Sequence, residues 1–316
     1  MPQYVAFSLK IYLKGMVLFM YEDIRNNKIK TGVIVGIFLL VITLIVYYIC
    51  MAFDLGVVSI VIALVFAIGT SWASYYYSDK IVLSINRARE ATPEQEEKLN
   101  NILDGLMISS GLQYRPRLYV VDDPQPNAFA TGRNPQNSVI CVTTGLLAKL
   151  DYYELEGVVA HELSHIKNYD IRLSCVVSVM VGFIVILADW VSRALFWGRG
   201  RDNDEKGNPI LMLIGLLCLI LAPIFGQLMQ LALSRRREYL ADASAVELTR
   251  NPDGLISALQ KLDADPNELK TANNSTAHMY IVSPFKANLK DGKKKTSLLS
   301  THPSIDDRIE AIRNLK

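Results

Sequence analysis

The chain is poor in cysteine and has almost no excess of charge of either sign. Its four cysteines stand far apart, at Cys50, Cys141, Cys175 and Cys218, without a C-x-x-C pair. This spacing excludes a disulfide framework and a four-cysteine zinc site. The 33 Lys and Arg residues offset 31 Asp and Glu residues to a net charge of +2. The basic domain typical of a nucleic-acid-binding protein is therefore missing, and we expect no nucleic-acid partner.

Apolar residues are abundant and are concentrated in long runs. They make up 51% of the 316 residues, which excludes a disordered chain, and the mean hydropathy is +0.22. Four runs reach the roughly 20 residues that a helix needs to cross a bilayer core: residues 33–53, 57–77, 173–197 and 210–233. Short connections pair them into two predicted transmembrane hairpins. Lys and Arg are more frequent at the span ends beside the large polar segments, which favours a cytosolic position for those segments.

The polar segments predict a mainly helical domain with a small β-sheet. Strand-like runs at residues 117–122, 128–131 and 139–143 are separated by Pro and Asn turns. Helix-start signals precede four apolar-periodic segments; they lie at Thr92, Asp151, Asn251 and Ser304. The predicted fold class is an α+β membrane protein with four transmembrane helices.

One of these helices carries the sequence His161-Glu162-Leu163-Ser164-His165. Two histidines at i and i+4 lie on one face of a helix, about 6 Å apart, and can share one tetrahedral metal ion. Glu162 is rotated about 100° from His161, so its carboxylate can reach a water molecule on that metal. The chain has only four histidines, so composition alone does not account for this pattern.

An open zinc site also needs a third protein ligand. The three-histidine class of metalloprotease is excluded, because Ile171 stands where its third histidine would be. The remaining candidate is Glu238, directly after the fourth run. Asp242 shares its helix face and would accept a hydrogen bond from a ligand histidine; a solvated acidic pair among arginines is the alternative. Two predicted spans, an even number, separate His161 from Glu238, so both lie on the same side of the membrane.

Together these motifs resemble the HtpX-type integral-membrane zinc metalloproteases, which are related to the CaaX prenyl endopeptidase. The resemblance covers nearly all of the chain from residue 33 onward and includes the Thr301-His302-Pro303-Ser304 run. It implies one Zn²⁺ per chain, bound by His161, His165 and Glu238. It further implies that Glu162 is the general base and that His302 stabilises the oxyanion. The implied substrate-binding strand consists of Asn127, Ala128, Phe129, Ala130 and Thr131.

The residues themselves give less direct support for the oxyanion role of His302 and for the substrate-binding role of residues 127–131. An edge strand has free N–H and C=O groups that can pair with an extended peptide, although many edge strands bind nothing. His302, next to Pro303, could instead cap the final helix. Tyr239 is a second candidate for a hydrogen bond to the oxyanion. His278 has no motif around it and is predicted to be an exposed loop residue.

The predicted organisation has five segments. Residues 1–32 form an N-terminal arm that either lies on the membrane surface or is an ordinary helical arm. Residues 33–77 and 173–233 form the two transmembrane hairpins. Residues 78–172, with the HELSH helix, and residues 234–316, with the third zinc ligand, form the two parts of a zincin-like catalytic domain.

The predicted function is zinc-dependent endoproteolysis at the cytosolic face of the cell membrane. The expected partners are the lipid bilayer and membrane-protein or unfolded polypeptide substrates, in protein quality control and the stress response. One alternative is a catalytically silent membrane scaffold stabilised by zinc; Glu162 argues against it, since a structural zinc site needs no base and closes the fourth position. A transporter or channel would place paired polar residues within several spans, and only Asp189, Gln227 and Gln230 fit that pattern.

Overall fold

The structure is a computed structural model that describes residues 25–47, 56, 58–198, 235–271, 273, 275–285 and 303–315. In chain order its elements are α1 Arg25–Tyr47, α2 Val58–Tyr76, α3 Ser78–Ile85, β1 Arg89–Glu90, α4 Pro93–Ser110, β2 Arg117–Val121, β3 Ala128–Asn134, β4 Asn137–Thr143, α5 Thr144–Lys149, α6 Tyr152–Lys167, α7 Asp170–Gly198, α8 Arg235–Thr249, α9 Pro252–Ala264, a short 3-10 helix Ala277–Met279 and α10 Ile305–Arg313.

Side-chain caps fix the starts of the helices in the polar domain. Thr92 and Asp151 each accept a hydrogen bond from the backbone N–H three residues on, at Gln95 and Glu154. The side chains of those two residues return the bond to the N–H of the cap, so both starts are reciprocal capping boxes. Ser304 caps α10 in the simpler one-way form. The helix starts predicted from the sequence are confirmed.

The sheet has four strands in the order β1-β2-β4-β3. β2 and β4 are parallel, whereas β3 is antiparallel to β4 and β1 is antiparallel to β2. The three predicted strands are present. β1 has only two residues, too few to give an alternating pattern, and the sequence does not reveal it. The order leaves β3 at one edge of the sheet.

The main hydrophobic core joins this sheet to the helices that carry the HELSH motif and its surroundings. Its buried residues come from α4, β2, β3, β4, α6, α9 and α10 and include Leu103, Ile140, Leu155, Leu259 and Ile312. Burial of side chains of this size contributes about 1.5–3 kcal/mol each. The HELSH motif thus stands on a helix that is fixed on several sides.

Two described helices, α1 and α2, are long and apolar enough to cross a bilayer. α1 begins at Arg25, ahead of the predicted span start at residue 33, because a helix can continue into water beyond the hydrocarbon layer. The third predicted span lies within α7. The fourth, residues 210–233, lies outside the described residues, and the four-helix arrangement stays a prediction. α1, α2 and α7 meet in a second apolar cluster around Phe38, Ala67 and Val177.

Candidate metal centre

His161 and His165 present their ring nitrogens to the same point beside α6. Their Nε2 atoms are 3.2 Å apart, and their rings are nearly perpendicular, with centroids separated by 4.8 Å. Both side chains are shielded from solvent, that of His161 almost completely. The helix repeat brings the two rings together, as residues four apart share a face.

Glu238 completes the group from α8. One carboxylate oxygen lies 3.7 Å from Nε2 of His161 and the other lies 3.7 Å from Nε2 of His165. The three donor atoms lie within 4.8 Å of one another. Zinc bonds of about 2.0–2.1 Å in tetrahedral geometry separate ligand atoms by about 3.3 Å, so this group fits a zinc ion after small side-chain shifts.

Glu162 lies beside the three candidate ligands, with both carboxylate oxygens buried. Its side chain is 1% exposed, and neither of its oxygens is bonded to another described residue. Burial raises the pKa of Glu162 to about 7, because desolvation disfavours the charged form. A buried, unsatisfied carboxylate of this kind is suited to accept a proton from a water molecule in the cavity.

Asp242 and Arg308 hold His161 from the side opposite the cavity. Asp242 lies 2.9 Å from Nδ1 of His161, and Arg308 donates two hydrogen bonds to the same carboxylate, at 2.8 and 2.6 Å. Burial opposes the charge on Asp242, but the Arg308 guanidinium outweighs it and lowers the pKa of the carboxyl group. Nδ1–H of His161 can therefore donate to a carboxylate, which leaves Nε2 free of a proton and able to bind a metal ion.

Asp170 performs the matching role for His165. Its carboxylate lies 3.0 Å from Nδ1 of His165 and accepts a second hydrogen bond, at 2.8 Å, from the amide of Asn27 in α1. Burial lowers the pKa of His165, but the bond to Asp170 and the charge of Glu238 raise it to about 9. The chain reverses between α6 and α7 through Tyr169, which has a left-handed φ of 61°, and this reversal returns Asp170 to the histidine.

The sequence predicts neither the role of Asp170 nor that of Arg308. Arg308 lies 66 residues from Asp242, and no short-range pattern reveals such a pair. The available signal for Arg308 is its place among Ile305, Ile309 and Ile312 on an amphipathic helix. A charged residue on the apolar face of such a helix is buried only when it has an oppositely charged partner, because an unpaired charge is costly to bury.

A segment of residues 277–282, here named the covering segment, lines one side of the cavity beside the candidate metal ligands. The cavity has a volume of about 30 Å³ and is lined by the metal ligands, Glu162 and residues 278–281. This volume is room for a water molecule or two beside the candidate ligands. The prediction that His278 is exposed is wrong: it is 4% exposed, because the 3-10 helix Ala277–Met279 packs on α7, with Nε2 of His278 3.4 Å from the carbonyl oxygen of Ser174.

The covering segment also lies along the outer edge of β3. Phe129 and Tyr280 form an antiparallel bridge, and the N–H of Ile281 donates to the carbonyl oxygen of Ala128 at 2.9 Å. The amide of Asn127 donates to the carbonyl oxygen of Val282 at 3.1 Å. Ala130 lines the metal cavity. The strand for which the resemblance implies substrate binding is thus next to the candidate metal ligands, and the covering segment pairs with its outer edge at Ala128 and Phe129.

The structure describes only one of the two candidate oxyanion residues. Tyr239 follows Glu238 in α8, is partly exposed, and is not among the described residues that line the cavity. Burial raises the pKa of its phenol. His302 lies outside the described residues, which resume at Pro303, shortly before α10. Both oxyanion roles stay predictions.

Comparison with known proteins gives a consistent set of similarities. Residues 93–316 match the model of peptidase family M48. A protease HtpX homolog of Dictyoglomus turgidum is 46% identical over 294 residues, which cover 93% of this chain and 94% of the relative. One of Caldanaerobacter subterraneus is 40% identical over 300 residues, covering 94% and 98%. The crystal structure of S. mikatae Ste24p matches with 18% identity and a TM-score of 0.47, over 96% of this chain and 67% of that one.

Proposed function

Because the chain belongs to peptidase family M48, and is thus a metallopeptidase that acts on polypeptides, we propose a more specific function. It is a multi-pass zinc endopeptidase of the cytoplasmic membrane that cleaves membrane or misfolded proteins in quality control and the stress response. Its catalytic domain, residues 78–172 and 234–316, lies on the cytosolic side. The two membrane-compatible helices and the excess of Lys and Arg at their polar ends support this topology.

One observation carries the proposal: three metal-binding atoms converge within 4.8 Å beside a buried carboxylate without a hydrogen-bond partner. His161, His165 and Glu238 would hold the ion. A structural zinc site has four protein ligands and no adjacent base, whereas a catalytic site has three and keeps one position open. The described residues supply three ligands and Glu162, which is the catalytic pattern.

The chemistry follows from the placement of these residues. A zinc ion bound there would act as a Lewis acid toward water and the scissile carbonyl group. Glu162 would take a proton from the attacking water and then give it to the leaving amine nitrogen. Asp242 and Asp170 would keep both imidazoles in the tautomer that leaves Nε2 available. His302, and alternatively Tyr239, would donate a hydrogen bond to the oxyanion, worth about 3–4 kcal/mol in such sites.

A substrate peptide would pair with β3 through Asn127, Ala128, Phe129, Ala130 and Thr131. The outer edge of this strand leads to the metal ligands, which supports strand addition as the binding mode. Since the covering segment bonds to the same edge at Ala128, it must leave the strand before a peptide can occupy those positions. Substrate binding thus includes an opening step.

The substitution Glu162→Gln tests the proposed function. In detergent-solubilised full-length protein, zinc content should stay near one ion per chain, because Glu162 is not a ligand. Cleavage of an unfolded membrane protein should fall at least 100-fold, as expected when a general base is lost. Metal analysis and gel-based cleavage assays measure the two effects.

The matched control is Glu156→Gln, which lies on the same helix outside the metal centre and makes the same chemical change. It should retain both zinc and cleavage. Undiminished cleavage by Glu162→Gln would remove the proposed base. Loss of zinc together with activity would instead show that Glu162 has a structural role in the site.

A further inference from the structure

Aromatic and basic side chains form a collar where three long helices meet the polar domain. Four cations lie over aromatic rings at distances of 4.6 to 5.6 Å. The collar consists of the pairs Lys28–Tyr169, Lys80–Tyr77, Arg133–Tyr76 and Arg172–Tyr75. They belong to the start of α1, the end of α2 and its continuation into the start of α3, the turn into α7 with the first residues of that helix, and the end of β3. All four therefore lie at the same end of the helices.

The collar continues an exposed apolar surface along α2. Val61, Val65 and Ile68 are 59–67% exposed and are followed on the same face by Trp72 and Tyr76, 55% and 42% exposed. Lys80 comes next and is exposed. From the hydrocarbon core of a bilayer to its headgroups, membrane proteins present aliphatic, then aromatic, then basic side chains. The side chains from Val61 to Lys80 follow the same order.

Within the part of the chain that the structure describes, no acidic side chain pairs with a collar cation. None of the four forms an ion pair with a described carboxylate within 4 Å. Nearby Asp79 is engaged by Arg117, and Asp170 is engaged by His165 and Asn27. A cation held over a ring keeps its charge and its remaining N–H donors. Among the described residues the positive charge of the collar is thus not neutralised, and its lysines, Lys28 and Lys80, are exposed and can donate hydrogen bonds to an anion.

We propose that the collar binds the phosphates of anionic phospholipids in the cytosolic leaflet, with phosphatidylglycerol as the model ligand. The inference rests on the membrane insertion proposed above and concerns a surface outside the catalytic group. Arg133 lies near the end of β3. It donates a 2.8 Å hydrogen bond to the carbonyl oxygen of Tyr76. Lipid bound here would fix the edge strand and the metal centre at a constant height above the membrane.

Fluorescence quenching of Trp72 tests this proposal without any use of peptide cleavage. Trp72 lies 6.1 Å from the ring of Tyr77, over which Lys80 is held. The chain has three tryptophans, so Trp190→Phe and Trp197→Phe leave Trp72 as the sole reporter. The full-length protein is reconstituted into vesicles with increasing fractions of brominated phosphatidylglycerol or brominated phosphatidylcholine. We expect phosphatidylglycerol to quench at a several-fold lower mole fraction.

The substitution Lys80→Gln should lower this preference about fivefold, the contribution of one cation near an anionic surface. Lys98→Gln is the matched control on α4, where the lysine donates to the carbonyl oxygen of Leu147, and it should keep the preference. Equal quenching by the two lipids, or equal loss in the two variants, would overturn the proposal. So would relief of the quenching by millimolar glycerol phosphate, which would identify a site for soluble phosphates. These results are independent of whether the protein cleaves peptides.

Discussion

The two histidines of the HELSH motif are four residues apart, yet different parts of the molecule hold them. His161 is oriented by Asp242 and Arg308, which belong to the polar domain, and its side chain is 1% exposed. His165 is oriented by Asp170, which is bonded to Asn27 in a membrane-compatible helix, and its side chain is 16% exposed. One candidate ligand is thus fixed by the domain core and the other by the membrane-compatible helices. The metal centre joins the two parts.

Removing the ion pair that holds His161 in the domain core should have the largest effect. Arg308→Met leaves the carboxylate of Asp242 buried without its ionic partner, and we expect the free energy of unfolding to fall by about 3–5 kcal/mol. Chemical unfolding of the zinc-free protein in detergent, followed by circular dichroism, measures this change. The double variant Arg308→Met, Asp242→Asn should regain part of the loss, because Asp242 then leaves no unpaired charge; the contacts of Arg308 with Glu238 and with the carbonyl oxygen of Ile281 stay lost. A loss below 1 kcal/mol in the single variant would contradict the assigned pairing.

Removing the carboxylate that orients His165 should weaken metal binding more than it lowers the stability of the fold. Asp170→Asn removes the negative charge that orients His165, and zinc affinity should fall 10- to 100-fold, as is usual when a residue behind a ligand is changed. Competition with a chromogenic chelator measures the affinity. Asp104→Asn, at an exposed ion pair with Arg115, is the control that should bind zinc as the wild type does. Equal affinity for the two variants would exclude a role for Asp170.

The smallest effect should come from Asn27, the residue of α1 that donates a hydrogen bond to the carboxylate of Asp170. Asn27→Ala removes one buried hydrogen bond to Asp170, worth about 1 kcal/mol or roughly a fivefold loss in zinc affinity. Because Asn27 would act through Asp170, combining it with Asp170→Asn should add little further loss. The same chelator assay on the single and double variants gives the coupling. Fully additive losses would indicate that Asn27 acts on the site by another route.

The sequence is sufficient to predict those parts of the site that local geometry determines. Helical spacing alone selects His161 with His165 and Glu238 with Asp242, and the structure brings all four together. Capping residues likewise predict the starts of α4 and α6. These features depend on residues a few positions apart, where the repeat of a helix or the chemistry of a cap is decisive.

The parts of the site that the sequence does not predict depend on contacts between segments that are distant along the chain. Arg308 meets Asp242 because α10 packs beside α8. Asp170 meets His165 because the chain reverses at Tyr169. The burial of His278 follows from packing against α7, and its local sequence of Thr276, Ala277 and Met279 contains no sign of it. Long-range packing overrides what local polarity predicts at such positions.

The covering segment carries a kinetic consequence. If its release from β3 is slower than bond cleavage, opening sets the maximal turnover rate, as lid movements do in many enzymes. Polypeptides with unrelated sequences would then share one kcat and differ only in KM. Loosening the contact between Ile281 and Ala128 would raise that common ceiling for all of them at once.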